Sequence, residues 1–205
     1  MLKVVIAVGI PGVGKSTVLN IAMKELENRG YCVRVINFGD LMLETLTRRG
    51  LVKSRDDIRN LPLSIQREVQ REVAGRIGDE LSRIRRLNDG KTYVVIIDTH
   101  AVVKTGTGYW SGLPAHVITN IMPDSIVVVE ADVQEILKRQ IKDVERRRSD
   151  YSDVELLNEL LLLNRVFAVS SANLVGASVY ILRNREGRAE ETALEFIKLI
   201  ESLRD

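Results

Sequence analysis

Cys32 is the only cysteine in 205 residues. It has no partner for a disulfide within the chain, and a zinc site built on cysteines is excluded. Aromatic residues are nearly as scarce, at 4%, which leaves little with which to stack the bases of a nucleic-acid strand. A dominant charge is missing too: 30 basic residues against 28 acidic ones leave a net +2. A general nucleic-acid binder would show a strongly basic face instead. The apolar start, LKVVIAVGI, is too short to span a bilayer and runs straight into glycines, a poor secretory leader. The expectation is a soluble cytoplasmic protein with neither membrane nor nucleic acid as partner. Length and an apolar fraction of 45% predict one domain with a real core.

Short apolar runs alternate with longer amphipathic segments. Residues 2–8, 31–38, 92–100, 125–131 and 178–184 read as strands, each close to continuously apolar. Helices are expected over 15–30, 40–50 (capped by Asp40), 63–90, a short piece around AHVITNI, 132–148, 154–176 and the C-terminal segment from Ala189. Residues 101–114 read as a glycine-rich loop. Strands buried on both faces and separated by helices imply a three-layer α/β fold around a five-stranded parallel sheet. Ligands of such sheets lie beyond the carboxyl ends of the strands. That rim would hold Gly9, Asp98 and the residues after Ala131.

The first strand leaves through GIPGVGKST, residues 9–17. The spacing Gly9-x-x-x-x-Gly14-Lys15-Ser16, between a strand and a helix, is that of a phosphate-binding P-loop. Gly9, Ile10, Pro11, Gly12, Val13 and Gly14 would wrap backbone N–H groups around phosphate oxygens at the positive end of the following helix. Lys15 would reach the β- and γ-phosphates, Ser16 would hold Mg²⁺, and Thr17 adds a hydroxyl. The third strand, VVII, ends at Asp98, placed to hold a Mg²⁺-bound water. A turn or cap aspartate is the plainer alternative there. His100 follows on the same rim, as a substrate contact or a hydrogen-bonding residue of the core; His116 reads as structural.

Phosphoryl transfer asks the protein for positioning and charge, and arginine's planar fork suits both. Arg139, with Arg146 and Arg148 at the polar turn ERRRSDYSD, is expected on the transferring phosphate. Arg55 and Arg59, in SRDDIRNL, are expected on the acceptor's phosphate. Arg83, Arg85 and Arg86 read as a solvated helix face. An NKxD guanine-reading motif is absent, which disfavours a GTP-dependent switch.

The chain resembles archaeal-type adenylate kinases almost end to end. GIPGVGKST, INFGD, RDDIR, IDTHAVVKT, GYWSGLP, VVEAD, LKRQ and RRRSDYSD follow that family's order and spacing. The combination of DTHA, GLP and RRRSDYSD is far more specific than the P-loop. The resemblance implies the strand order 2-3-1-4-5, the reaction Mg·ATP + AMP ⇌ 2 ADP, and a homotrimer. It also divides the chain into a core (1–39, 91–138 and 154–205), an AMP-binding lobe over about 40–90 that includes Asp40, and a short lid over about 139–153. Two arginines of the bacterial pattern are missing: Leu43 and Glu44 occupy one neighbourhood and Ala115 follows GLP. Arg55 and Arg59 gain weight accordingly, and the zinc-bearing lid of some bacterial relatives is excluded. The alternatives are a kinase of another nucleoside monophosphate or small metabolite, or an ATPase regulated by a partner.

Overall fold

Alternation along the strands sorts the interior into two halves, one on each face of the central sheet. Val4, Ile6 and Val8 of the first strand point to one face, and Val5 and Ala7 to the other. The third strand divides likewise, with Val95 and Ile97 against Val94 and Ile96. This is a computed structural model, which describes residues 1–142 and 153–204. Arg146, Arg148 and most of the expected lid lie outside those residues.

The elements run β1 (Leu2–Val8), α1 (Lys15–Asn28), β2 (Cys32–Asn37), α2 (Phe38–Arg48), α3 (Arg55–Ile58), α4 (Leu63–Arg85) and β3 (Tyr93–Thr99). They continue with β4 (Val102–Thr105), β5 (Gly108–Ser111), α5 (Ala115–Ile121), β6 (Ser125–Glu130), α6 (Val133–Lys142), α7 (Val154–Asn173), β7 (Ser178–Arg183) and α8 (Ala189–Ser202). Five strands form a wholly parallel sheet in the order β2-β3-β1-β6-β7. Counted along the sheet strands alone, this is the expected 2-3-1-4-5. Leu46, Val73, Ile77 and Ile118, from α2, α4 and α5, fill one half of the core. Val18, Leu19, Phe196 and Ile197, from α1 and α8, fill the other. Helix α7 serves both halves, with Leu157 and Leu160 in the second and Ala168 and Ala172 in the first. Among the described residues no helix is long and apolar enough to cross a membrane.

Three local features differ from the sequence expectation. Residues 102–111 form an antiparallel hairpin, β4 against β5, inside the segment expected to be loop. The glycines there mark its turn, where Gly108 takes φ +115°. Helix α2 begins at Phe38: Asn37 is the cap, its side chain accepting from the Asp40 N–H at 3.1 Å, and Asp40 falls in the first turn. Asn37 outcompetes Asp40 as cap because the strand ends there in an extended conformation (φ −87°, ψ 108°). Helix α4 stops at Arg85, five residues short of the glycine expected to end it.

Candidate active site

A loop that binds phosphate through its N–H groups must turn its carbonyls elsewhere. Here four side chains hold them. His100, just past β3, donates from Nδ1 to the Gly9 carbonyl at 2.7 Å, which fixes the proton on that nitrogen because a carbonyl only accepts. Gln140 Nε2 donates to the Pro11 carbonyl at 3.4 Å and Arg139 Nη1 to the Gly12 carbonyl at 3.3 Å, both from α6. Asn184, just past β7, donates from Nδ2 to the Val13 carbonyl at 2.7 Å. Ile10 and Val13 are buried and anchor the loop in the core. Gly12 and Gly14 sit at φ +93° and +81°, and a side chain at Gly14 would collide with the Asn184 amide. A Cβ at Gly9 would come within 2.8 Å of the Val129 carbonyl.

Ser16 and Thr17 lie in the first turn of α1 with exposed side chains. Lys15, at the first position of α1, lies largely buried with Nζ against Asp98 Oδ1. Burial and the nearby Arg55 guanidinium pull the Lys15 pKa down from 10.5 to about 7. Asp98, 8% exposed, accepts at Oδ2 from Asn37 Nδ2 at 3.1 Å. Asn37 Oδ1 in turn accepts from Arg55 Nη2 at 2.9 Å, and Arg55 also pairs with Asp40. The ends of β1, β2 and β3 are thus linked through Lys15, Asp98, Asn37 and Arg55 into one polar chain. The parallel register, Ala7 beside Asp98 and Asn37 beside Asp98, makes this possible.

Two carboxylates hold Arg139 over the loop: Glu135 at 3.2 Å, one helical turn back, and Glu186 at 3.0 Å, from the segment after β7. The Glu186 N–H donates to Glu135 at 3.1 Å, locking the pair. Arg59 is half-buried at the turn after α3 and forms no ion pair with a described residue. The structure therefore brings Arg139 and His100 onto the loop and pairs Lys15 with Asp98, while Arg55 and Asp40 join them through Asn37.

Sequence reasoning missed Asn37, Gln140, Asn184, Glu135 and Glu186. Only Asn37 and Asn184 carried a signal, a polar side chain terminating an apolar strand. The others sit among the charges of a helix and a turn, where nothing marks them out.

A strand, a glycine loop whose carbonyls are tied outward and a helix opening on lysine and two hydroxyls define a P-loop nucleotide-binding protein. A family model described as an AAA domain matches residues 8–157. The adenylate kinase of Saccharolobus solfataricus is 46% identical over 196 residues, covering 96% of this chain and 98% of that protein. The adenylate kinases of Methanopyrus kandleri and Methanocaldococcus jannaschii are 43% and 39% identical, each with 98% of its length covered and with 98% and 97% of this chain. The chain belongs to the adenylate kinase family. The crystal structure of TT1252 from Thermus thermophilus shares the fold, with a TM-score of 0.50 over 98% of both chains at 16% identity.

Proposed function

We propose that this chain catalyses the reversible transfer of the γ-phosphoryl group of ATP to AMP, giving two molecules of ADP. The observation that carries the reading is the outward pinning of the Gly9, Pro11, Gly12 and Val13 carbonyls, which leaves the loop's N–H groups for phosphate. ATP lies with its phosphates in residues 9–17. Lys15 leaves Asp98 for the β- and γ-phosphates once a triphosphate arrives. Arg139, held beside the loop by Glu135 and Glu186, stabilises charge on the moving group. Arg146 and Arg148 of the lid join it, and the lobe of about residues 40–90 closes over AMP with Asp40, Arg55 and Arg59 near its phosphate. No general base is needed, because the accepting phosphate oxygen is already anionic. Closure of the lid and the lobe excludes water, which would otherwise take the phosphoryl group.

The residues present fit Mg²⁺. The hydroxyl of Ser16 is exposed in the first turn of α1, and Asp98 Oδ1 is buried and, among the described residues, accepts no hydrogen bond beyond its ion pair with Lys15. Hard oxygen donors of this kind suit Mg²⁺ carried in on phosphates. When bound, the ion neutralises charge across the β- and γ-phosphates. Ser16 and Asp98 are the side chains that would hold it and its water.

A homotrimer is part of the same reading. Leu162, Val166 and Val169 form an apolar row on α7 at 62%, 52% and 54% exposure, and spacings of four and three residues put them on one face. We place the protein in the cytoplasm, with its nucleotides.

A coupled assay of ADP formation tests the reaction. AMP should be clearly the best acceptor among AMP, GMP, CMP and UMP, and ATP should turn over hardly at all without an acceptor. Hydrolysis of ATP alone at a comparable rate would favour an ATPase, and a better acceptor than AMP would overturn the substrate. Lys15→Ala should lower kcat by about 10³-fold and Arg139→Ala by about 10²–10³-fold, with unchanged circular dichroism.

A further inference from the structure

A groove of about 540 Å³ runs along the free edge of β7 and takes no part in the site above. Arg165 of α7, Arg183 at the end of β7, Arg185 just beyond it and Arg188 at the N-cap of α8 line it, together with Thr192 and two carboxylates, Glu191 and Glu195, the latter accepting from the Tyr180 hydroxyl. The chain's charges almost cancel, so four guanidiniums around one cavity are a marked concentration. Ion pairing within the fold consumes two of the four. Arg165 grips the buried Glu130 with two nitrogens, and Arg188 pairs with Glu191 at 3.0 Å. Arg183 and Arg185 are exposed and form no ion pair with any described carboxylate. Both line the groove, and such forks grip phosphate oxygens in pairs.

The same segment reaches the nucleotide cradle. Asn184 precedes Arg185 and holds the Val13 carbonyl, while Glu186 follows it and holds Arg139. Thr192, a lining residue, donates to Asn184 Oδ1 at 3.4 Å. Whatever fixes Arg183, Arg185 and Arg188 also fixes residues 184–188, and with them one support of the phosphate loop.

We propose that this groove is a second anion site, separate from the two substrate sites, for a ligand carrying adjacent phosphate groups held by Arg183 and Arg185. The phosphates belong to free pyrophosphate or to the tail of a nucleotide. The inference concerns binding alone, so it survives or fails independently of the transfer reaction.

Titration of the full chain carrying Lys15→Met with pyrophosphate, followed by calorimetry, tests it with the cradle disabled. The expected result is one saturable site per chain, weakened at least tenfold when Arg183→Ala and Arg185→Ala are added. Replacing Arg85 and Arg86, at the C-terminal end of α4, by alanine should leave it intact. In the wild-type background, which guards against a poorly folded Lys15 variant, pyrophosphate should bind in two phases. One of them should vanish with Arg183→Ala/Arg185→Ala. A nucleotide source shows itself as an ADP stoichiometry that falls by one per chain in that double variant; an unchanged ADP stoichiometry assigns the groove to free pyrophosphate. Absence of the second site, its persistence without Arg183 and Arg185, or equal loss on removing Arg85 and Arg86 overturns the proposal.

Discussion

Asn184 is buried behind Gly14, and its amide donates to Val13 while accepting from Thr192. Leucine there would fill similar space without a donor, leaving the Val13 carbonyl free to swing toward the phosphates. A lost buried hydrogen bond costs about 1–3 kcal/mol, and about 1.4 kcal/mol is tenfold in an equilibrium. Asn184→Leu should therefore raise the KM for ATP about tenfold while leaving that for AMP nearly unchanged, measured by steady-state kinetics. Lys15 supplies a pH test. Its pKa is near 7 in the free protein, below the usual 10.5, so at pH 8.5 it is mostly neutral before nucleotide arrives. Phosphate charge restores the proton. Binding of ATP at pH 8.5 should take up close to one proton, and at pH 6 almost none, read by calorimetry in buffers of different ionisation enthalpy. Lys15→Met should abolish the difference. Lys15 itself was legible in the motif; Asn184 was not, because its loop-holding role joins residues 171 positions apart.

At the scale of elements, two glycines of α4 make opposite predictions. At Gly78 a Cβ would approach the Asn120 carbonyl of α5 to 2.7 Å, whereas at Gly75 it meets nothing within 4 Å. Alanine gains about 1 kcal/mol of helix propensity at either place. At Gly78 the overpacking cost of about 1–3 kcal/mol exceeds it. Gly75→Ala should raise the melting temperature by a few degrees, and Gly78→Ala should lower it or leave it level, by differential scanning calorimetry. Strand and helix identities were legible because hydrophobic periodicity reports local geometry. The 102–111 hairpin escaped notice because its strands are only four residues long, too short for alternation to show.

Across the whole molecule, the apolar row on α7 sets subunit contact against monomer. Val166→Glu combined with Val169→Glu puts two charges where the proposed trimer would bury them. Light scattering on a sizing column should show the mass of the wild type fall from three chains to one, with the fold kept because both positions are exposed in the single chain. A wild-type mass of one chain would remove the trimer from the reading.

The chain alone determined its parallel sheet, its phosphate loop and the aspartate ending the third sheet strand, since each is written in contiguous residues whose pattern obeys backbone geometry. Tertiary structure alone decided which side chains turn the loop's carbonyls away. His100, Arg139, Gln140 and Asn184 come from three separate crossings of the sheet, and only the strand order and register bring them within hydrogen-bonding distance of residues 9–13. Hydrogen bonds act over about 3 Å, so pattern along the chain cannot announce a contact that folding alone creates.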